Sequence, residues 1–176
     1  QRPLDGVDKR TKRLGFHPSQ MAQIQESLMK KGLIQLVYID RKKLFKLTAT
    51  GKTLAENLKI PVPSKKTRGG LEHDYWIHQT IQFLRKHELQ PVCEIDGIDI
   101  VDKSTGIAIE IETGKSDIQK NILKLEKSRF SSCFMLATTK AVEIKLKELA
   151  NDYPFLNVLL VKNFLKLTRD QITSTL

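Results

Sequence analysis

The segment Ile-Ala-Ile-Glu-Ile-Glu-Thr-Gly-Lys-Ser at 107–116 sets two carboxylates two positions apart in a run of strand-forming residues. Side chains alternate faces along a strand, so Glu110 and Glu112 share a face with Ala108 while Ile107, Ile109 and Ile111 take the other. The run Ile98, Asp99, Ile100 alternates in the same way, which leaves Asp99 opposite its isoleucines and, if the two strands are neighbours, beside Glu110. Three acids that close resist simultaneous ionisation unless a divalent cation or a lysine neutralises them. Oxygen donors without a Cys/His set favour Mg²⁺ or Mn²⁺ over Zn²⁺. Asp99, Glu110 and Glu112 are therefore the candidate metal ligands; a solvated strand face or a structural ion-pair cluster is the alternative the same residues allow.

Other chemistries fit less well. Gly114-Lys115-Ser116 ends like a phosphate loop, but that motif needs a glycine five residues before Gly114 and the chain has Ile109 there. His73 and His78 stand five apart, off the spacing of four that puts two metal ligands on one helix face. His17 and His87 fall at helix boundaries, where capping or surface roles suffice, and Tyr75 and Trp76 suit core packing better than base stacking.

The elements around the acids read clearly. Trp76, Ile77, Thr80, Ile81, Phe83 and Leu84 give a helix over 71–87 a wide apolar face with Pro91 beyond its end. Strands at 92–95, 98–101 and 107–112 are separated by Asp96-Gly97 and by Lys103-Ser104-Thr105-Gly106, both turn compositions, so an antiparallel meander is expected. A helix over 117–129, an apolar strand at 133–137, a helix over 141–150 and a strand at 156–161 complete the order αβββαβαβ.

Upstream, Pro18 starts a helix whose Met21, Ile24 and Leu28 form a stripe ending before Gly32. Its other face carries Gln20, Gln23, Ser27, Lys30 and Lys31, groups able to reach base edges and phosphates. Runs at 33–39 and 44–47 form a hairpin with a basic tip, Asp40-Arg41-Lys42-Lys43, and Thr48 or Thr50 can cap a last short helix. Helix, hairpin and helix, with 8–14 as a preceding helix, make the second half of a winged helix-turn-helix whose first helix is missing.

Charge divides the chain at the same place. Of its 176 residues, 1–68 hold 16 Lys and Arg against 5 Asp and Glu, whereas 69–176 hold 14 against 15. A basic module joined to a near-neutral one points to a polyanionic partner, most often nucleic acid. The Pro-, Gly- and Lys-rich stretch 60–70 is the expected linker, giving domains at 1–59 and 71–167 and a short helix or tail at 168–176. The longest apolar run, 133–137, is far too short to cross a bilayer, and Arg2, Asp5 and Asp8 replace a signal-peptide core. Cys93 and Cys133, each in an apolar strand-like run, read as buried free thiols, which suggests a reducing, cytoplasmic setting without a membrane association.

A helix, a three-stranded meander, an acid in the second strand, Glu-x-Glu in the third and a following helix resemble the PD-(D/E)XK (restriction endonuclease-like) nuclease superfamily over roughly 71–140. The resemblance implies an α/β fold with a mixed central sheet, and metal-dependent hydrolysis of DNA phosphodiesters with Asp99 and Glu110 as ligands. It gives Glu112, which stands where the family usually has lysine, the role of ligating metal or orienting water. Lys115 would then supply the missing cation, and Glu72 would match an acid of the family's first helix. The wording at 69–76 and 107–117, with Asn121, is similar to the tail of HerA/FtsK-like DNA-pumping ATPases, which implies a fragment whose motor lies upstream. A fold retained only to grip DNA or dock a partner, and a transcription regulator acting through the winged helix, are the competing expectations.

Overall fold

The computed structural model describes residues 7–61 and 69–173. The protein is a mixed α/β structure with a two-stranded and a five-stranded sheet, and it divides into two compact units, Gln1–Thr67 and Arg68–Leu176. Residues 62–68 of the expected linker lie outside the described residues, as do 174–176 of the tail. No helix among the described residues is long and apolar enough to cross a membrane.

In the first unit α1 (Val7–Leu14) precedes α2 (Pro18–Lys30). Pro18 is the first residue of α2, His17 caps it by accepting the Ser19 N–H, and the Gln20 side chain accepts the His17 N–H at 2.9 Å, a reciprocal box that satisfies two orphan donors. After Gly32, at a φ of 64°, β1 (Ile34–Ile39) and β2 (Lys42–Leu47) pair antiparallel. Their connection is two residues, Asp40 and Arg41, both left-handed at φ 48° and 62°, the pattern of a tight type I′ turn. The expected four-residue basic tip is thus shorter: Lys42 and Lys43 belong to β2, opposite Ile39 and Tyr38. Of the two candidate caps Thr48 serves, accepting the Gly51 N–H at 3.0 Å to start α3 (Ala49–Asn57).

The second unit opens with α4 (Gly70–Lys86), whose Tyr75, Trp76, Thr80, Ile81 and Leu84 are buried. The sheet runs β3 (Val92–Ile95), β4 (Ile98–Asp102), β5 (Ile107–Glu112), β6 (Ser132–Ala137), β7 (Leu156–Leu160) in spatial order. The first three strands are antiparallel, and β5, β6 and β7 are parallel, with crossovers through α5 (Ile118–Ser128) and α6 (Lys140–Ala150). Val161 leaves the strand to begin a short α7 (Val161–Phe164), and α8 (Arg169–Thr173) follows. Ala108, Cys133, Met135 and Ala137 pack with Ile118, Ile122, Leu125 and Leu146 of α5 and α6. On the opposite parity, the Phe134 ring meets Phe164 of α7 at 5.2 Å between centroids, and Phe164 meets Phe83 of α4 at 5.7 Å. Helices thus cover both faces, which is why every residue of β5, acids included, is buried. Cys133 is buried as expected, but Cys93 is exposed, because β3 is an edge strand with nothing among the described residues paired to its outer side.

Candidate active site

The sheet opens where the acids lie. Pairing of β4 with β5 runs through Asp102↔Ile107, Val101↔Ala108 and Ile100↔Ile109, and stops before Asp99. There two side chains replace the backbone ladder: Asp99 Oδ2 accepts the Ile111 N–H at 2.8 Å, and Glu110 Oε1 accepts the Asp99 N–H at 3.3 Å. On the other side of β4 the ladder with β3 also skips Asp99, since Glu94 opposite it turns left-handed at φ 54°. Asp99 therefore sits in a gap of the sheet, reachable from α4, and His73 Nε2 of that helix lies 2.9 Å from Asp99 Oδ2.

Glu110 is 2% exposed, and burial, with the nearby Asp99 charge added, pushes its carboxyl up to about 8. Lys124 of α5 works against that rise, its Nζ lying 2.6 Å from Glu110 Oε1 and also donating to the Gly97 carbonyl at 2.7 Å and to Asn121 Oδ1 at 3.1 Å. Burial disfavours the charged form of His73, but its hydrogen bond and attraction to Asp99, helped by Asp74 and Glu110, outweigh that and raise its pKa. The two acids thus face an ammonium and an imidazole.

Glu112 shares the face of Glu110 but does not join the pair. One of its oxygens accepts Asn121 Nδ2 at 2.5 Å and the other accepts the Ser116 hydroxyl. Nor does it line the cleft of about 1200 Å³ into which His73, Asp99, Glu110 and Lys124 face. Along one wall of that cleft stand Lys120, Lys124 and Lys127, a single face of α5, and Lys115 stands on the loop before it. Lys115 is exposed there and makes no contact with the acids; the cation that reaches Glu110 is Lys124. Glu72 is half-buried on α4 outside the cleft, and its neighbour His73 reaches Asp99 instead, a shift of about 100° around the helix. Among the described residues no three His, Cys, Asp or Glu side chains gather as a metal site, so the expected convergence reduces to Asp99 and Glu110. That pair does fit a hard divalent ion. The hydrogen bonds above fall on Asp99 Oδ2 and Glu110 Oε1, and the Glu110 carboxyl, raised by burial and then by the Asp99 charge, is one whose ionisation a bound cation would favour.

Sequence reasoning weighed His73 only as half of a metal-binding pair with His78, and did not single out Lys124. For Lys124 a signal existed: Asp117, Asn121, Lys124 and Ser128 repeat at four, three and four residues, a polar row beside the apolar stripe of α5.

In the first unit Gln20, Gln23, Ser27, Lys30 and Lys31 are all exposed on or just after α2, and Lys30 pairs with Glu26 at 2.9 Å. Arg41, Lys42 and Lys43 are exposed at the hairpin end, where Tyr38, 61% exposed and opposite Lys43, adds an aromatic ring. Neither a scan of protein-family models nor searches of curated proteins and of solved structures finds a match to the chain.

Proposed function

We propose that the second unit is a divalent-metal-dependent phosphodiester hydrolase of the PD-(D/E)XK type acting on DNA, and that the first is a winged helix-turn-helix that binds the same polymer. One observation carries the reading: Asp99 and Glu110 meet where β4 and β5 part, with the Lys124 ammonium 2.6 Å from Glu110, in a cleft lined by further lysines. A carboxylate pair in a basic cleft suits a substrate that is itself anionic and binds through a shared cation. Asp99 and Glu110 would hold Mg²⁺ or Mn²⁺, which when bound supplies positive charge to a phosphate oxygen and acidifies water. His73 orients Asp99. Lys124 stands to meet negative charge as it grows on the phosphoryl oxygens, the role first expected of Lys115, and Lys115, Lys120 and Lys127 draw in the backbone. Support for the first unit is the order of two helices, a tight hairpin and a third helix, with the polar face of α2 and the cations of the hairpin both exposed.

The test is cleavage of supercoiled plasmid by the full chain. Nicking that requires Mg²⁺ or Mn²⁺, stops with chelator and falls at least 100-fold in Asp99→Ala and Lys124→Met is the expected result. DNA binding without cleavage in either metal would refute the hydrolase and leave a gripping or docking module.

A further inference from the structure

Glu112 is 0% exposed, yet both its hydrogen-bond partners are neutral, Asn121 and Ser116. A carboxylate can only accept, so it fixes the Asn121 amide with its NH₂ toward β5. The amide oxygen then points the other way, where Lys124 Nζ donates to it at 3.1 Å. The reverse orientation would set oxygen against carboxylate and NH₂ against ammonium. With Asn121 so turned, Lys124 has Asn121 Oδ1, the Gly97 carbonyl and Glu110 Oε1 as acceptors, as many as an ammonium has protons. A lysine side chain is otherwise long and loosely held; here it is tied to the turn between β3 and β4, to its own helix and to the acid pair.

We infer that Glu112 is a positioning residue that acts through Asn121 to hold the Lys124 ammonium against Glu110. The acid at 112 and the lysine at 124 therefore belong together. A lysine at 112 would turn the amide round and present its NH₂ to Lys124. Only the catalytic meaning of this relay rests on the hydrolase reading; the relay itself is a property of the metal-free chain.

Its test separates the two. In the full chain with lysine side chains labelled with ¹⁵N and no metal present, one ammonium resonance should be protected from exchange with water and vanish in Lys124→Met. Asn121→Ala and Glu112→Leu should lose that resonance while the backbone amide spectrum is kept, and Glu112→Gln, which still offers an acceptor oxygen, should retain it. Since Glu112 is fully buried, the half-buried Asn121 decides the matter if Glu112→Leu does not fold. On plasmid with Mn²⁺, Asn121→Ala should lower kcat by about tenfold with KM unchanged, about what one ordinary hydrogen bond of alignment is worth. The double variant Asn121→Ala/Lys124→Met should be no slower than Lys124→Met alone. A resonance that persists in both Asn121→Ala and Glu112→Leu, or additive losses in the double variant, overturns the relay. A native chain that cleaves nothing while the resonances behave as expected refutes the hydrolase and leaves the relay standing.

Discussion

Glu110→Gln should make the metal-free protein more stable at pH 8, although it alters a side chain at the centre of the site. The native carboxyl is 2% exposed and lifted from an ordinary 4.5 to about 8 by burial and by Asp99. Between those values the folded chain holds a proton that the unfolded chain has released, so stability is fully present below about pH 4.5 and drains away up to about pH 8. At roughly 1.36 kcal/mol per pH unit the window is worth on the order of 5 kcal/mol, an upper bound because the Lys124 ammonium 2.6 Å away and the Asp99 charge act on the same carboxyl. Half of that is still a large share of the roughly 5–15 kcal/mol that holds a domain together. His73, raised above 6.5, adds loss of the same sign in the upper part of the window. Glutamine keeps an oxygen for Lys124 and for the Asp99 N–H, so the substitution removes charge with little change of shape. The assay is urea unfolding with chelator at pH 5, 6.5 and 8, followed by the chain's one tryptophan, Trp76, which is 3% exposed. Native stability should fall across the series and that of Glu110→Gln much less. Mg²⁺ at about 100 times its dissociation constant should return about 2.7 kcal/mol to the native protein at pH 8 and little to the variant. A flat native profile, or a variant weaker than native at pH 8, would refute the reasoning.

Three further outcomes follow from the geometry. Buried Asp102 accepts the N–H groups of Gln90, Ser104 and Thr105 and the Ser104 hydroxyl, which outweigh its burial and lower its pKa; Asp102→Ala should cost about 2–3 kcal/mol at pH 7, and the deficit should shrink as pH falls below 3.8 through the lowered value, measured by urea titration at several pH values. A Cβ on Gly51 would stand 1.9 Å from the Leu33 carbonyl oxygen, so Gly51→Ala should destabilise the first unit by about 1–3 kcal/mol in thermal unfolding of the full chain, and a neutral result would mean that α3 does not pack as described. Reversing Arg41, Lys42 and Lys43 to Glu should weaken duplex binding and flatten its logarithmic salt dependence by roughly 0.9 for each lost phosphate contact, read by fluorescence anisotropy; unchanged binding would remove the hairpin from the interface.

Most of the element order was legible because each element carried its own local signal. Pro18 and His17 before an apolar stripe, Asp96-Gly97 between two alternating runs and Asp117 capping α5 need no tertiary information. The differences arise where neighbours in space decide. Lys42 and Lys43 have the composition of a loop, but the two-residue turn at Asp40 and Arg41 fixes the register and draws them into β2. Cys93 and Cys133 both lie in strand-like runs, yet one strand is at the edge of the sheet and the other near its middle, a distinction set by the order of strands; the only local trace of it is Glu94, which interrupts the first run and not the second.

The site divides along the same line. Alternation in β5 correctly set Glu110 and Glu112 on one face, and meander pairing correctly set Asp99 beside Glu110. Alternation cannot say what stands above each acid, and that is decided by α5. Asn121 falls over Glu112 and, one helical turn on, Lys124 falls over Glu110, so two acids of one type on one face meet an amide and an ammonium respectively. Lys115, Lys120, Lys124 and Lys127 are interchangeable as sequence, and the gap opened by Asp99 between β4 and β5, with the Gly97 carbonyl at its rim, selects Lys124. The same gap selects His73 over Glu72, since only the former points from α4 toward the carboxylate that has replaced the ladder. A sheet that parts to present a side chain is thus also what chooses that side chain's partners. Closing the gap by Asp99→Val, which suits a strand but can neither accept the Ile111 N–H nor hold His73, should therefore release His73 and loosen Lys124 together.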